Sequence, residues 1–161
     1  MEKMEKRLNI VMNGIKKGAI ENLCGDDIFI NVVFVLGIES YLAIPFEFKN
    51  VQEKKEMVAA ICAIAEKENP IGIFMVHDMW MTQRKVVPGE TIDINKVPLP
   101  SESPDRKQAI CIMGAGHFFK KCFLIPYTRE NGKVILGDEV EVSDFEDFNF
   151  SSVFKDKKYD A

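Results

Sequence analysis

An acid and the chain's single tryptophan stand two residues apart in the apolar run IGIFMVHDMWMT, as Asp78 and Trp80. The run reads as a strand, where residues i and i+2 share a face, so the carboxyl and the indole stand side by side beyond Phe74 and Val76. A carboxylate in that company must find a hydrogen bond or a cation. Left unpaired it costs on the order of several kcal/mol or takes up a proton. The segment PLPSESPDRKQAI, which leads into the next apolar stretch, supplies Ser101, Glu102, Asp105 and Arg106. If the two strands run antiparallel, the Trp80 end of the first lies beside Arg106, whose planar fork can hold a carboxylate through two bonds. Asp78, Trp80, Ser101, Glu102, Asp105 and Arg106 therefore form the candidate polar site. Used as chemistry, one carboxylate serves as general base and Arg106 orients an anionic group. Used as architecture, Ser103, Pro104, Asp105 and Arg106 make a type I turn with proline at its second position.

The other reactive side chains are sparse. Of the two histidines, His77 adjoins Asp78 as in metal-dependent phosphohydrolases, but strand neighbours point to opposite faces and cannot share an ion. Among Ile73, Met75, Met79 and Met81 it reads as a hydrogen-bonded core histidine. Gly114, Ala115 and Gly116 begin like a dinucleotide fingerprint. Phe119 stands where the third glycine is needed, and a strand rather than a helix follows, so the glycines read as a turn. Cys24, Cys62, Cys111 and Cys122 show no C-x-x-C spacing and lie in apolar stretches, as reduced core thiols do. A hairpin centred between Gly116 and His117 would set Cys111 opposite Cys122. No lipase-type serine motif, zinc-protease helix or phosphate loop occurs, and no metal or cofactor is expected.

Composition bounds the partners. With 161 residues, 47% of them hydrophobic and 29% charged, the chain suits one domain. A net charge of −4 argues against a phosphate backbone as partner, so no nucleic acid is expected. The N-terminus lacks the apolar run of a signal peptide, and no segment approaches a membrane span, which points to a cytoplasmic protein with no membrane association.

Several elements must position the polar cluster. Apolar residues at 4, 8, 11, 12, 15, 19 and 23 mark an amphipathic helix, weakened at Gly14 and Gly18. A buried strand is expected near 28–36, then a second, ESYLAIPFEF, whose Pro45 places it at an edge. Residues 51–68 predict a helix stopped at Asn69 and Pro70, with alanines on several faces closely packed and the Val58, Ile61, Cys62 and Ala65 side on a sheet. Residues 71–82 have the pattern of a central strand. The proline-rich stretch 83–106 is a long loop, with a brief edge strand at Thr91–Ile94. QAICIMGAGHFFKKCFLIPYT predicts a hairpin, and Asn131 with Gly132 a second one into KVILG.

An acid followed two residues later by tryptophan on a strand (Asp78, Trp80), then P-S-E-x-P-D-R-K (Pro100 through Lys107), resembles a group of uncharacterised prokaryotic and phage-associated proteins. That group carries glutamate at the first position and an acid after the basic pair, where this chain has Asp78 and Gln108. The resemblance covers about a quarter of the chain and implies no activity.

The fold class expected is α+β, with a mostly antiparallel sheet of about five strands and two principal helices. Residues 1–150 form a single domain and 151–161 a loose tail. Without a catalytic signature, the favoured reading is a non-catalytic binding or accessory protein. It self-associates through the N-terminal helix or the acidic, phenylalanine-rich tail and is open to a further protein partner. The alternative is a small hydrolase-like enzyme using carboxylates and Arg106 in a cleft under the 83–106 loop.

Overall fold

The computed structural model describes residues 2–25, 29–82, 86–97, 99, 102–145 and 147–155. Helix α1 (Glu2–Cys24) follows the expected stripe: Leu8, Met12, Ala19 and Leu23 are buried, with Met4, Val11 and Ile15 packed at the margin. Strands β1 (Val32–Leu36) and β2 (Tyr41–Pro45) form a hairpin closed by the Gly37 N–H donating to the Ser40 carbonyl. Helix α2 (Val51–Glu68) starts at Asn50, whose Oδ1 accepts from the Glu53 N–H at 2.8 Å. Glu53 in turn accepts from the Lys49 N–H at 2.7 Å, so two backbone donors outside the helical ladder are satisfied. It stops where Asn69 takes a left-handed conformation ahead of Pro70.

Strands β3 (Gly72–Met81), β4 (Lys107–Gly116), β5 (Phe119–Glu130), β6 (Lys133–Leu136) and β7 (Val140–Val142) complete the sheet. Its order is β2-β1-β3-β4-β5-β6, with every pairing antiparallel. The strand count is seven rather than about five because β5 is long enough to pair with two strands in succession: Tyr127–Glu130 hold β6, and Cys122–Leu124 hold β7. β3 is interior, between β1 and β4, as its two-sided apolar pattern requires. Asn131 (φ 53°) and Gly132 (φ 77°) make the tight turn of the β5–β6 hairpin, the backbone that this dipeptide favours.

Helices cover both faces. On one, Ile61 and Ala65 of α2, with Met57 and Cys62 beside them, pack on Val33, Val35, Ile73, Met75 and Met113. Val58 is only half-buried, and Ala59, Ala60 and Ala63 face solvent, so alanine here reflects helix propensity rather than close packing. On the other face α1 lies over Phe74, Val76, Ile110, Ile112 and Ile125. A methyl at Gly116 would stand 2.9 Å from Leu8 and 3.0 Å from the Ile71 carbonyl, so a bare backbone there lets Leu8, fully buried, reach the sheet. Burial of such a side chain is worth roughly 1.5–3 kcal/mol.

Four local expectations change. Residues 114–116 lie within β4, and the turn is His117–Phe118, so the β4–β5 hairpin is centred one residue later than expected. Cys111 then pairs with Leu124 and meets Cys122 diagonally, with the two sulfurs 3.6 Å apart. Cys24 is exposed, not a core thiol. Thr91–Asp93 form no strand; a short 3₁₀ helix, Ile94–Lys96, follows, with Asp93 accepting from the Asn95 N–H. Finally, of the expected loose tail 151–161, residues 156–161 lie outside the described residues and 151–155 are not loose. A second 3₁₀ helix, Phe150–Phe154, buries Phe150, Val153 and Phe154 in the α2-side core, and Asp147 ahead of it accepts from the backbone and hydroxyl of Ser151. The apolar stripes of α1 and of the tail are thus used within the chain. Among the described residues, no helix is long and apolar enough to cross a membrane.

Candidate functional site

β3 is buried on both faces from Gly72 to Val76, then opens: His77 and Met79 are half-buried, Asp78 and Trp80 exposed. The registers Trp80↔Gln108 and Gln108↔Tyr127 put these three residues in one row across β3, β4 and β5. Trp80 and Tyr127 consequently share the α1 face of the sheet with Asp78. The Tyr127 hydroxyl donates to Asp78 Oδ1 at 2.9 Å, and the Asp78 N–H donates to Asn31 Oδ1 at 2.9 Å.

Partial burial pushes the Asp78 carboxyl up from its ordinary value, while the Tyr127 bond, the Met79 N–H and the charge of Arg129 pull it back. Tyr127 is pushed up to about 12 by burial and then by its bond to Asp78 and the charge there. Near neutral pH the phenol is therefore neutral and donates to the Asp78 carboxyl. Across the strand, burial drives His77 down to about 4. It stands edge-on to Phe148, 6.1 Å between ring centres, on the opposite face from the Asp78 side chain, and what it shares with its neighbour is a hydrogen bond to the Asp78 backbone.

Arg106 joins this cluster through Trp80: its guanidinium lies 4.6 Å from the indole centre. The side chain that hydrogen-bonds the Asp78 carboxyl is Tyr127 rather than Arg106, and the cation that bears on it is Arg129, 5.9 Å from the Tyr127 ring centre. Continued outward by two residues, the β4–β5 register sets Arg106 opposite Arg129. The expected turn is present: the Arg106 N–H donates to the Ser103 carbonyl at 3.3 Å, and the Asp105 N–H to Ser103 Oγ at 3.3 Å. Glu102, whose N–H donates to the Leu99 carbonyl, and Asp105 are exposed on this turn side. Ser101 lies outside the described residues.

Two contributors were not legible as site residues. Tyr127 and Arg129 continue the Ile125 alternation on β5, a signal readable only once the turn at His117–Phe118 fixes the register. Asn31 precedes β1 and reaches Asp78 across the β1–β3 pairing.

A groove of about 610 Å³ opens between α1 and the β1–β2 hairpin, lined by Ile15, Gly18, Phe29, Val32, Phe34 and Val76 among others. Gly14 and Gly18 also line it, and a methyl on either would meet nothing within 4 Å. Asp78 does not itself line the groove but follows Val76, which does, on the same face of β3. Among the described residues no three His, Cys, Asp or Glu side chains converge as metal ligands would. No protein-family model, curated protein or solved structure matches the chain.

Proposed function

We propose that this chain is a non-catalytic binding protein, holding the apolar body of a small ligand in the α1–β1 groove and the ligand's hydrogen-bond donor at Asp78. One observation carries this reading: an apolar groove lined by Val76, with Asp78, the next residue on the same face of β3, offering acceptor capacity beyond its bond to Tyr127. Gly14 and Gly18 support it. Alanine would fit at both and would strengthen the helix by up to about 1 kcal/mol each, so the open space is kept at a cost to α1. The Asp78 carboxyl accepts from the Tyr127 hydroxyl and the Met79 N–H, neither of which is a nucleophile activated by it. Free cysteines suit a reducing cytoplasm.

Trp80, the single tryptophan, reports on the site. Titration with a long-chain aliphatic alcohol should change its emission saturably, and Gly18→Leu should abolish the change while leaving the fold intact. Equal binding by Gly18→Leu and the natural chain would overturn the proposal. The alternative, a hydrolase-like enzyme, draws on the raised Asp78 carboxyl beside Arg106 and Arg129. It requires ester or amide turnover that Asp78→Asn removes without removing binding.

A further inference from the structure

The ligand groove leaves another surface unaccounted for, the free edge of β2. The Gly37 N–H donates to the Ser40 carbonyl and the Phe46 N–H to the Asn31 carbonyl, both in the β1–β2 register. Backbone groups in an antiparallel ladder alternate in direction, so Ser40, Leu42, Ile44 and Phe46 turn theirs to β1, while Tyr41, Ala43 and Pro45 turn theirs outward. Pro45, with no N–H to give, falls on the outward side, where it removes no bond from the sheet.

Among the described residues no strand covers this edge. Tyr41 through Pro45 carry no charge, and Tyr41 and Leu42 are 68% and 40% exposed. The opposite edge differs. It is divided between β6 and β7, interrupted where the Gly137 N–H returns to the Pro126 carbonyl, and marked by Lys133 and Glu141. Charge and interruption are among the devices by which sheets discourage edge pairing, and β2 lacks both; its one proline, Pro45, stands at the strand's end and leaves Tyr41 to Ile44 open.

We propose that β2 pairs antiparallel with β2 of a second copy of this chain, about a two-fold axis at Ala43, so that one sheet runs through both. The partial charges complement each other under that axis. The Ala43 N–H meets the carbonyl of the partner's Ala43 and the reverse, and the Tyr41 N–H meets the carbonyl of the partner's Pro45. Leu42 and Ile44 face their counterparts across the junction. Because the contact is two-fold and the far edge of each sheet is charged and broken, association closes at a dimer rather than growing into a fibre. The turn at Gly37 and the proline at 45 bound the paired segment.

The experiment is the mass of the full chain by light scattering across a wide concentration range, together with two substitutions. The natural chain should have twice the chain mass, and Ala43→Lys should be monomeric with unchanged circular dichroism. In a Cys24→Ser background, which removes the exposed thiol, Ala43→Cys should form a covalent dimer on air oxidation. Residues directly opposite in a hydrogen-bonded pair stand about 5.5 Å apart at Cα, within disulfide reach. A monomeric natural chain, a dimer that persists in Ala43→Lys, or absence of the Ala43→Cys cross-link would each overturn the proposal. The cross-link decides the matter even where the lysine variant fails to fold.

Discussion

The two faces of β3 bear adjacent titratable residues with opposite fates. On the α2 side, a helix and the C-terminal 3₁₀ helix close over Ile73, Met75 and Met113, and His77 is held among them and beside Phe148. On the α1 side a single helix covers Phe74 and Val76 and leaves an open groove, so Asp78 keeps contact with water and a phenol. Whether a polar residue is silenced or made available depends on how many elements cover its face.

The largest test of that contrast is Phe154→Ala. Phe154 is 2% exposed against the α2-side core, and its loss should destabilise the fold by about 3–5 kcal/mol in urea unfolding. A negligible effect would mean that this face is not closed by the tail. Next comes His77. Its unfolded imidazole protonates near 6.5 and its folded one near 4, so the unfolded state binds more protons between these values. Stability contributed by the neutral ring should be present above 6.5 and lost as pH falls towards 4, by roughly 3 kcal/mol. The measurement is the difference in unfolding free energy between the natural chain and His77→Met across that window; parallel curves would contradict it.

On the open face the effects are smaller. Gly18→Ala should raise stability by about 1 kcal/mol, because the methyl enters empty space and the helix gains propensity. A loss instead would show that the groove is narrower than described. Tyr127→Phe should cost about 0.5–1.5 kcal/mol. It should also raise the Asp78 carboxyl further, since the Tyr127 bond is among the effects holding it down. Nuclear magnetic resonance titration of that carboxyl would register the shift. In the natural chain the raised folded value means the Asp78 contribution is present below the unfolded value of 3.8 and lost as pH rises through the folded one. Asp78→Asn should remove that slope.

Much of this arrangement was legible in the residues. The apolar periodicity of α1, the cap and proline stop of α2, the two-sided apolar run of β3 and the Asn131–Gly132 turn are local signals, set by side-chain sterics and hydrogen bonding within a few positions. The Ser103–Arg106 turn is of the same kind. They also implied that Asp78 needs a partner and that Trp80 stands near Arg106.

What the sequence could not decide was the identity of that partner. Tyr127 lies 49 positions from Asp78 and reaches it only because the β4–β5 turn falls at His117–Phe118. A two-residue difference in register separates Cys111 facing Cys122 from Cys111 facing Leu124. The expectation of a loose segment from residue 151 fails for a related reason: residues 151–155 carry no local periodic signal, while the burial of Val153 and Phe154 depends on a surface made by α2 and β4. Local chemistry determines which elements form and which residues need company. Register and layer coverage, set by the summed packing of distant segments, decide which company they find.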